Sequence, residues 1–151
     1  MFWYEIVFRV LLAAIIGMAV GFQREFSGHP AGIKTHAMVS IGAAVISLIQ
    51  LQMFSENPDV DPTRIIAQVV SGIGFIGAGC ILRNDRSDKI SGLITASTLW
   101  VVGCLGIAVG LGYYLICLAS FTAVMTILTV VSLLRAGKKV HEKDELPVDH
   151  D

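Results

Sequence analysis

Apolar positions along this chain come in long uninterrupted blocks, separated by short polar knots, and not in the alternating pattern of half-buried strands. No Asp, Glu, Lys or Arg occurs between Arg9 and Arg24, between Lys34 and Glu56, or between Arg64 and Arg83. Residues 65–82 give 18 uncharged positions, which as a helix would run for about 27 Å, close to the thickness of a bilayer's hydrocarbon. The block from Ile90 to Leu134 has 45 residues. That is too long for one span, and it breaks naturally at Gly110-Leu111-Gly112. The pattern predicts five transmembrane helices, at about 6–22, 36–54, 64–82, 93–109 and 113–134. The fold class is therefore all-α, a polytopic membrane domain over residues 1–134, followed at 135–151 by a polar, disordered tail.

Composition sharpens this reading. The chain is 54% hydrophobic and 15% charged, against about 25% charged residues in soluble domains. With a net charge of −1, nothing global points to nucleic acid as a partner. Glu5 precedes any basic residue and Arg24 follows the first apolar block, so helix 1 reads as an anchor and not as a cleaved leader. Cys80, Cys104 and Cys117 all fall in predicted spans without C-x-x-C spacing, which makes them small packing residues.

Charge position then orients the chain. Nine of the 11 Lys and Arg residues follow helices 1, 3 and 5, namely Arg24, Lys34, Arg83, Arg86, Lys89 and four in the tail. The positive-inside rule makes that side cytoplasmic, with the N-terminus outside and the C-terminus inside. Phe2-Trp3-Tyr4 lies at the outer interface, and Glu5 and Arg9, four apart, share a helical face on which they can pair. The basic start of the tail is an anchor for anionic lipid headgroups.

The stretch "SGIGFIGAGC" spells G-x-G-x-x-G through Gly72, Gly74 and Gly77. A dinucleotide loop needs a strand before it and a helix after it. Here the glycines lie inside a membrane span, where a pyrophosphate has no place. In lipid, helices associate by close backbone approach, which small residues permit. Gly72, Gly74, Gly77 and Gly79 on several faces predict that helix 3 is the central helix. Gly17 and Gly21 on helix 1, Ser40–Ala44 and Ala43–Ser47 on helix 2, and Gly106 and Gly110 on helix 4 supply matching surfaces. Helix 5 is bulkier and faces lipid.

Three motifs in order, "GFQREFSGHPAGIKTHAMVSIGAA", "DPTRIIAQVVSGIGFIGAGCILR" and "GLITASTLWVVGCLGIAVGLG", closely resemble the MgtC/SapB family of bacterial inner-membrane proteins. The resemblance covers residues 17 to about 112. The chain departs from the family at Ile94, where members often carry a polar residue. It also stops after helix 5, whereas MgtC proper continues into a cytoplasmic module resembling ACT domains, so the resemblance is to a short form. It implies a role in adaptation to low magnesium and survival in host cells. It further implies interaction with the F-type ATP synthase and other membrane proteins.

The polar residues offer few catalytic combinations. Arg24, Lys34 and Arg83 lie at helix ends on the basic side, where a fixed cation can grip an anion or a partner. Glu56, Asp59 and Asp61 are oxygen ligands of the kind Mg²⁺ prefers, but Asp61-Pro62 is also a good helix start beside Arg64. Gln68 within helix 3 is placed to hydrogen-bond Ser71 or Thr95. No nucleophile–base pair, paired carboxylates or metal-ligand cluster stands out, and no cofactor is expected. The sequence therefore predicts a non-enzymatic membrane protein acting through other membrane proteins. The alternative is a small ion transporter or channel formed by a homo-oligomer.

Overall fold

The computed structural model describes residues 2–144 except 30, 58, 60, 62 and 85–88, with backbone alone at 82–84, 89 and 135–144. Its elements are α1 (Trp3–Phe26), α2 (Ile33–Glu56), α3 (Thr63–Gly79), β1 (Leu82–Asn84), β2 (Lys89–Ser91), α4 (Leu93–Leu111) and α5 (Tyr114–Asp144). Four helices, α1, α2, α4 and α5, are long and apolar enough to cross a membrane, and α3 is a shorter apolar helix of 17 residues. The fold is all-α in its bulk.

Most helix ends shift by a few residues from the sequence reading, α1 starting at Trp3 and α2 at Ile33, and two differences go further. Helix 3 stops at Gly79 and does not reach residue 82, because the chain turns at Cys80 into an antiparallel hairpin that pairs Leu82 with Ser91 and Asn84 with Lys89. The hairpin closes through Gly92, whose φ of +88° is left-handed and where any Cβ would collide with the Cys80 carbonyl. The second difference is in the tail. Helix α5 runs on to Asp144, where the polar composition suggested an irregular chain from residue 135. Lys and Glu are good helix formers, so loss of apolar character did not end the helix. Residues 145–151 lie outside the described set.

Helix α4 is the hub, in contact with each of the other four helices. Its buried residues, from Thr95 and Leu99 to Val109 and Gly110, form one broad face, while Leu93, Ser97 and Trp100 on the other side are exposed. The expectation of a central helix 3 is corrected: on α3 only Ile73 and Gly77 are buried, and Phe75 is 82% exposed. Gly72, Gly74 and Gly79 face open space, with nothing within 4 Å of a Cβ placed there. Small residues permit close approach without enforcing it, and the neighbour that approaches is decided by larger side chains elsewhere. The most extensive packing joins α1 to α2 and α2 to α4. There the backbones touch. A Cβ at Gly17 would lie 2.6 Å from the His36 carbonyl, one at Gly21 2.6 Å from Ile33 Cα, and one at Gly110 2.6 Å from the Ala44 carbonyl. At Gly106 it would strike the Ser40 carbonyl. Helix α5 is largely exposed along its apolar length, as a lipid-facing helix would be.

The turn between α4 and α5 is set by Gly112, at φ +85°, which accepts the left-handed conformation that ends α4. Gly110, two residues earlier, stays helical and is used for packing instead.

Candidate functional site

The structure gathers buried polar groups at one end of the bundle, where α1, α2 and α4 meet. Arg24 in the last turn of α1 is 3% exposed, and His36 in the first turn of α2 is wholly buried. Ser40, one turn further along α2, and Thr95 and Thr98 on α4 are buried with them. His36 Nδ1 lies 2.9 Å from the Gly32 carbonyl oxygen, and its Nε2 lies 3.1 Å from Thr98 Oγ1. Thr98 Oγ1 also lies 3.0 Å from the Thr95 carbonyl oxygen. The start of α2 has no cap from its own residues. A carboxylate from α1 serves instead, since Glu25 Oε2 accepts the Ile33 N–H at 3.0 Å and places negative charge at the positive end of the helix dipole.

The opposite end is held differently. Arg9 donates from Nη1 to the Gly110 carbonyl at 2.8 Å, and its guanidinium lies 5.9 Å from the Tyr114 ring centre. It thus ties α1 to the end of α4, where the sequence suggested Glu5 as its partner. A carbonyl at the last turn of a helix carries partial negative charge and suits a cation. Gln23 adds a second tie on the far side, donating from Nε2 to the Leu128 carbonyl of α5 at 3.1 Å.

The residues singled out from sequence are therefore scattered. Arg24 and Thr95 belong to the buried cluster. Lys34 and Arg64 are exposed. The side chain of Arg83 lies outside the described set, as do Pro62 and Arg86. Asp61 caps α3, accepting the Thr63 N–H at 2.9 Å and the Thr63 hydroxyl at 2.7 Å. Those hydrogen bonds, with help from Arg64, hold its carboxyl below the usual carboxylate value. A depressed value means that the cap is in force above the unfolded carboxylate range and is lost as pH falls through the folded value. Glu56 accepts from Gln52 Nε2 at 2.6 Å, so Glu56 and Asp61 are engaged separately. Among the described residues, no three His, Cys, Asp or Glu side chains are grouped so as to hold a metal ion.

Gln68 does not meet Ser71 or Thr95. It is exposed and lines an open, almost wholly apolar groove of about 580 Å³ between α2 and α3, with Met38, Gly42, Ile46 and Gly72 among its neighbours. Gly77 packs against Ala96 on α4 at an ordinary 3.5 Å from a notional Cβ. Sequence reasoning began helix 2 at residue 36 but did not single out His36 or Thr98. The only local signal is "IKTHAMVS", where small residues flank His36 and allow a tightly packed helix.

A bundle of apolar helices packed backbone to backbone through glycine, four of them long enough to cross a membrane, defines a multi-pass membrane protein. The comparisons narrow the class. The MgtC family profile matches residues 10–136, and the chain belongs to that family. YhiD of Escherichia coli K12, whose name proposes a magnesium transporter, is 39% identical over 131 residues, covering 83% of this chain and 59% of YhiD. SapB of Bacillus subtilis is 35% identical over 87% of this chain and 59% of its own length. MgtC of Salmonella choleraesuis is 38% identical over 98% of this chain and 59% of its own length. The chain thus spans about three-fifths of these relatives. No solved structure matches it.

Proposed function

We propose that this chain is a non-enzymatic protein of the bacterial inner membrane that acts by binding other membrane proteins during magnesium limitation or host-cell stress. The observation that carries this is the backbone contact among α1, α2 and α4 at Gly17, Gly21, Gly106 and Gly110. It leaves no width for a hydrated path between those three helices. His36 and Thr98 bond there to one another and to the Gly32 and Thr95 carbonyls, which is the use of polar side chains as interhelical ties. An F-type ATP synthase is one partner that the family resemblance suggests, and anionic lipid is a second.

A transporter is the competing reading, favoured by the name of YhiD and by the groove between α2 and α3 that a second copy would close. Reconstitution into liposomes separates the two. The interaction reading expects Mg²⁺, K⁺ and proton flux indistinguishable from that of empty vesicles, and crosslinking in native membranes to recover a partner. Flux above the empty-vesicle level would replace it with the transporter.

Orientation has its own test. With the N-terminus outside, Asn57→Cys in a background lacking the three native cysteines should react in intact cells with an impermeant thiol reagent. Lys34→Cys should react only after the membrane is opened. The reverse labelling would invert the topology.

A further inference from the structure

The hydroxyl of Thr98 has one proton and two neighbours that compete for it. Oγ1 lies 3.0 Å from the Thr95 carbonyl oxygen and 3.1 Å from His36 Nε2. The Gly32 carbonyl can only accept, so His36 Nδ1, 2.9 Å from it, carries a proton in either charge state of the ring. Two arrangements follow. With a neutral ring, Nε2 is a bare acceptor and takes the Thr98 proton, which leaves the Thr95 carbonyl facing an oxygen lone pair. With an imidazolium, Nε2–H donates to Thr98 Oγ1, and the hydroxyl turns to donate to the Thr95 carbonyl. Only the second arrangement puts a proton in all three contacts.

We propose that His36 and Thr98 form a proton-operated latch between α2 and α4. One proton taken up at His36 Nε2 reverses the His36–Thr98 hydrogen bond and turns the Thr98 hydroxyl back onto its own helix. No other bond changes, and the proton returns to water when the pH rises. His36 lies in the first turn of α2, within about one helical turn of the end of the bundle, so its proton has a short route.

Burial and charge set the balance. The ring is wholly buried, which opposes the imidazolium, and the Arg24 guanidinium of α1, buried at the same end of the bundle, opposes it further. Helix α4 brings no Asp, Glu, Lys or Arg, and neither does α3 between Ile65 and Gly79. At the ring's own end, Glu25 is engaged with the Ile33 N–H and Lys34 is exposed. Thr98 favours the charged ring, and burial and Arg24 disfavour it. Protonation adds a second positive charge where Gly17 and Gly21 press on the backbone of α2, so pH at this end acts on the α1–α2–α4 packing.

The test uses the full chain in detergent with isotope-labelled histidine, and identifies the His36 ring signals by their absence in His36→Gln. The rings are followed between about pH 8 and about pH 5, the range in which imidazole titrates. Thr98→Val should lower the His36 midpoint by about one pH unit, because a hydrogen bond to a charged ring is worth about twice one to a neutral ring. Thr98→Ser should leave the midpoint in place. Arg24→Gln should raise it, and these opposed shifts are the signature of the latch. A His36 ring that shows no titration, or a midpoint unmoved by Thr98→Val, overturns the proposal. The Thr98 variants decide it alone should Arg24→Gln not fold.

Discussion

Gly110→Ala is expected to destabilise the bundle by about 1–3 kcal/mol, the range typical of overpacked cores, while Gly72→Ala leaves it unharmed. Both substitutions add one methyl group to a glycine inside an apolar helix. They differ in what that methyl meets. At Gly110 it would lie 2.6 Å from the Ala44 carbonyl oxygen and 2.7 Å from Ser47 Cβ, so the backbones of α2 and α4 must move apart. That separation also weakens the neighbouring contact at Gly106, and it loosens the carbonyl that Arg9 grips at 2.8 Å. At Gly72 the methyl meets nothing within 4 Å. Alanine there gains helix propensity of up to about 1 kcal/mol over glycine, so the variant should melt at or slightly above the parent temperature. Thermal unfolding of the purified protein in detergent gives both values. Equal damage from the two substitutions would mean that α3 has a neighbour outside this chain at its glycine face, and that the single-chain packing is incomplete.

Much of this bundle was legible in the pattern of charges. Uncharged blocks placed all five helices, because an ionised side chain at bilayer depth is costly wherever the helix packs. Asp61 was equally readable, since a cap depends on its own neighbourhood, and Thr63 is two residues away. Helix order in space was harder to read. Gly72, Gly74 and Gly79 look from sequence like Gly17, Gly106 and Gly110, yet the first three face outward and the others touch backbone. A glycine records that approach is allowed. Which helix approaches depends on long-range packing, such as the fit of Leu99 and Val102 within α4's surroundings. The polar cluster was hidden for a related reason. His36 and Thr98 stand 62 positions apart, and only the fold brings them within 3.1 Å. Arg24 was singled out as a helix-end cation, but its burial was not foreseen, because a basic residue at a span's end is ordinarily a marker of topology.

Ile73 should prove to be the residue on which the docking of α3 depends. It is the one large side chain that α3 buries, at 6% exposure, and its Cδ1 points at the gap that Gly103 leaves on α4. Ile73→Ala removes that knob and is expected to cost about 2–4 kcal/mol, within the range for large-to-small core changes. A pair of smaller substitutions tests the geometry more sharply. Gly103→Ala alone drives a methyl into the Cδ1 position and should cost about 1 kcal/mol or more. The clash is with the tip of a flexible side chain, so the cost stays below that of a backbone collision. Ile73→Val alone removes Cδ1 and should cost about 0.5–1.5 kcal/mol. Combined, the two changes move one methyl from α3 to α4 across the same contact. The double variant should then unfold closer to the parent than either single change predicts, with a coupling of about 1 kcal/mol. Additive losses in the same detergent melts would show that the Ile73 side chain does not occupy the Gly103 gap, and α3 would have to be held against α4 by other contacts, such as Gly77 on Ala96.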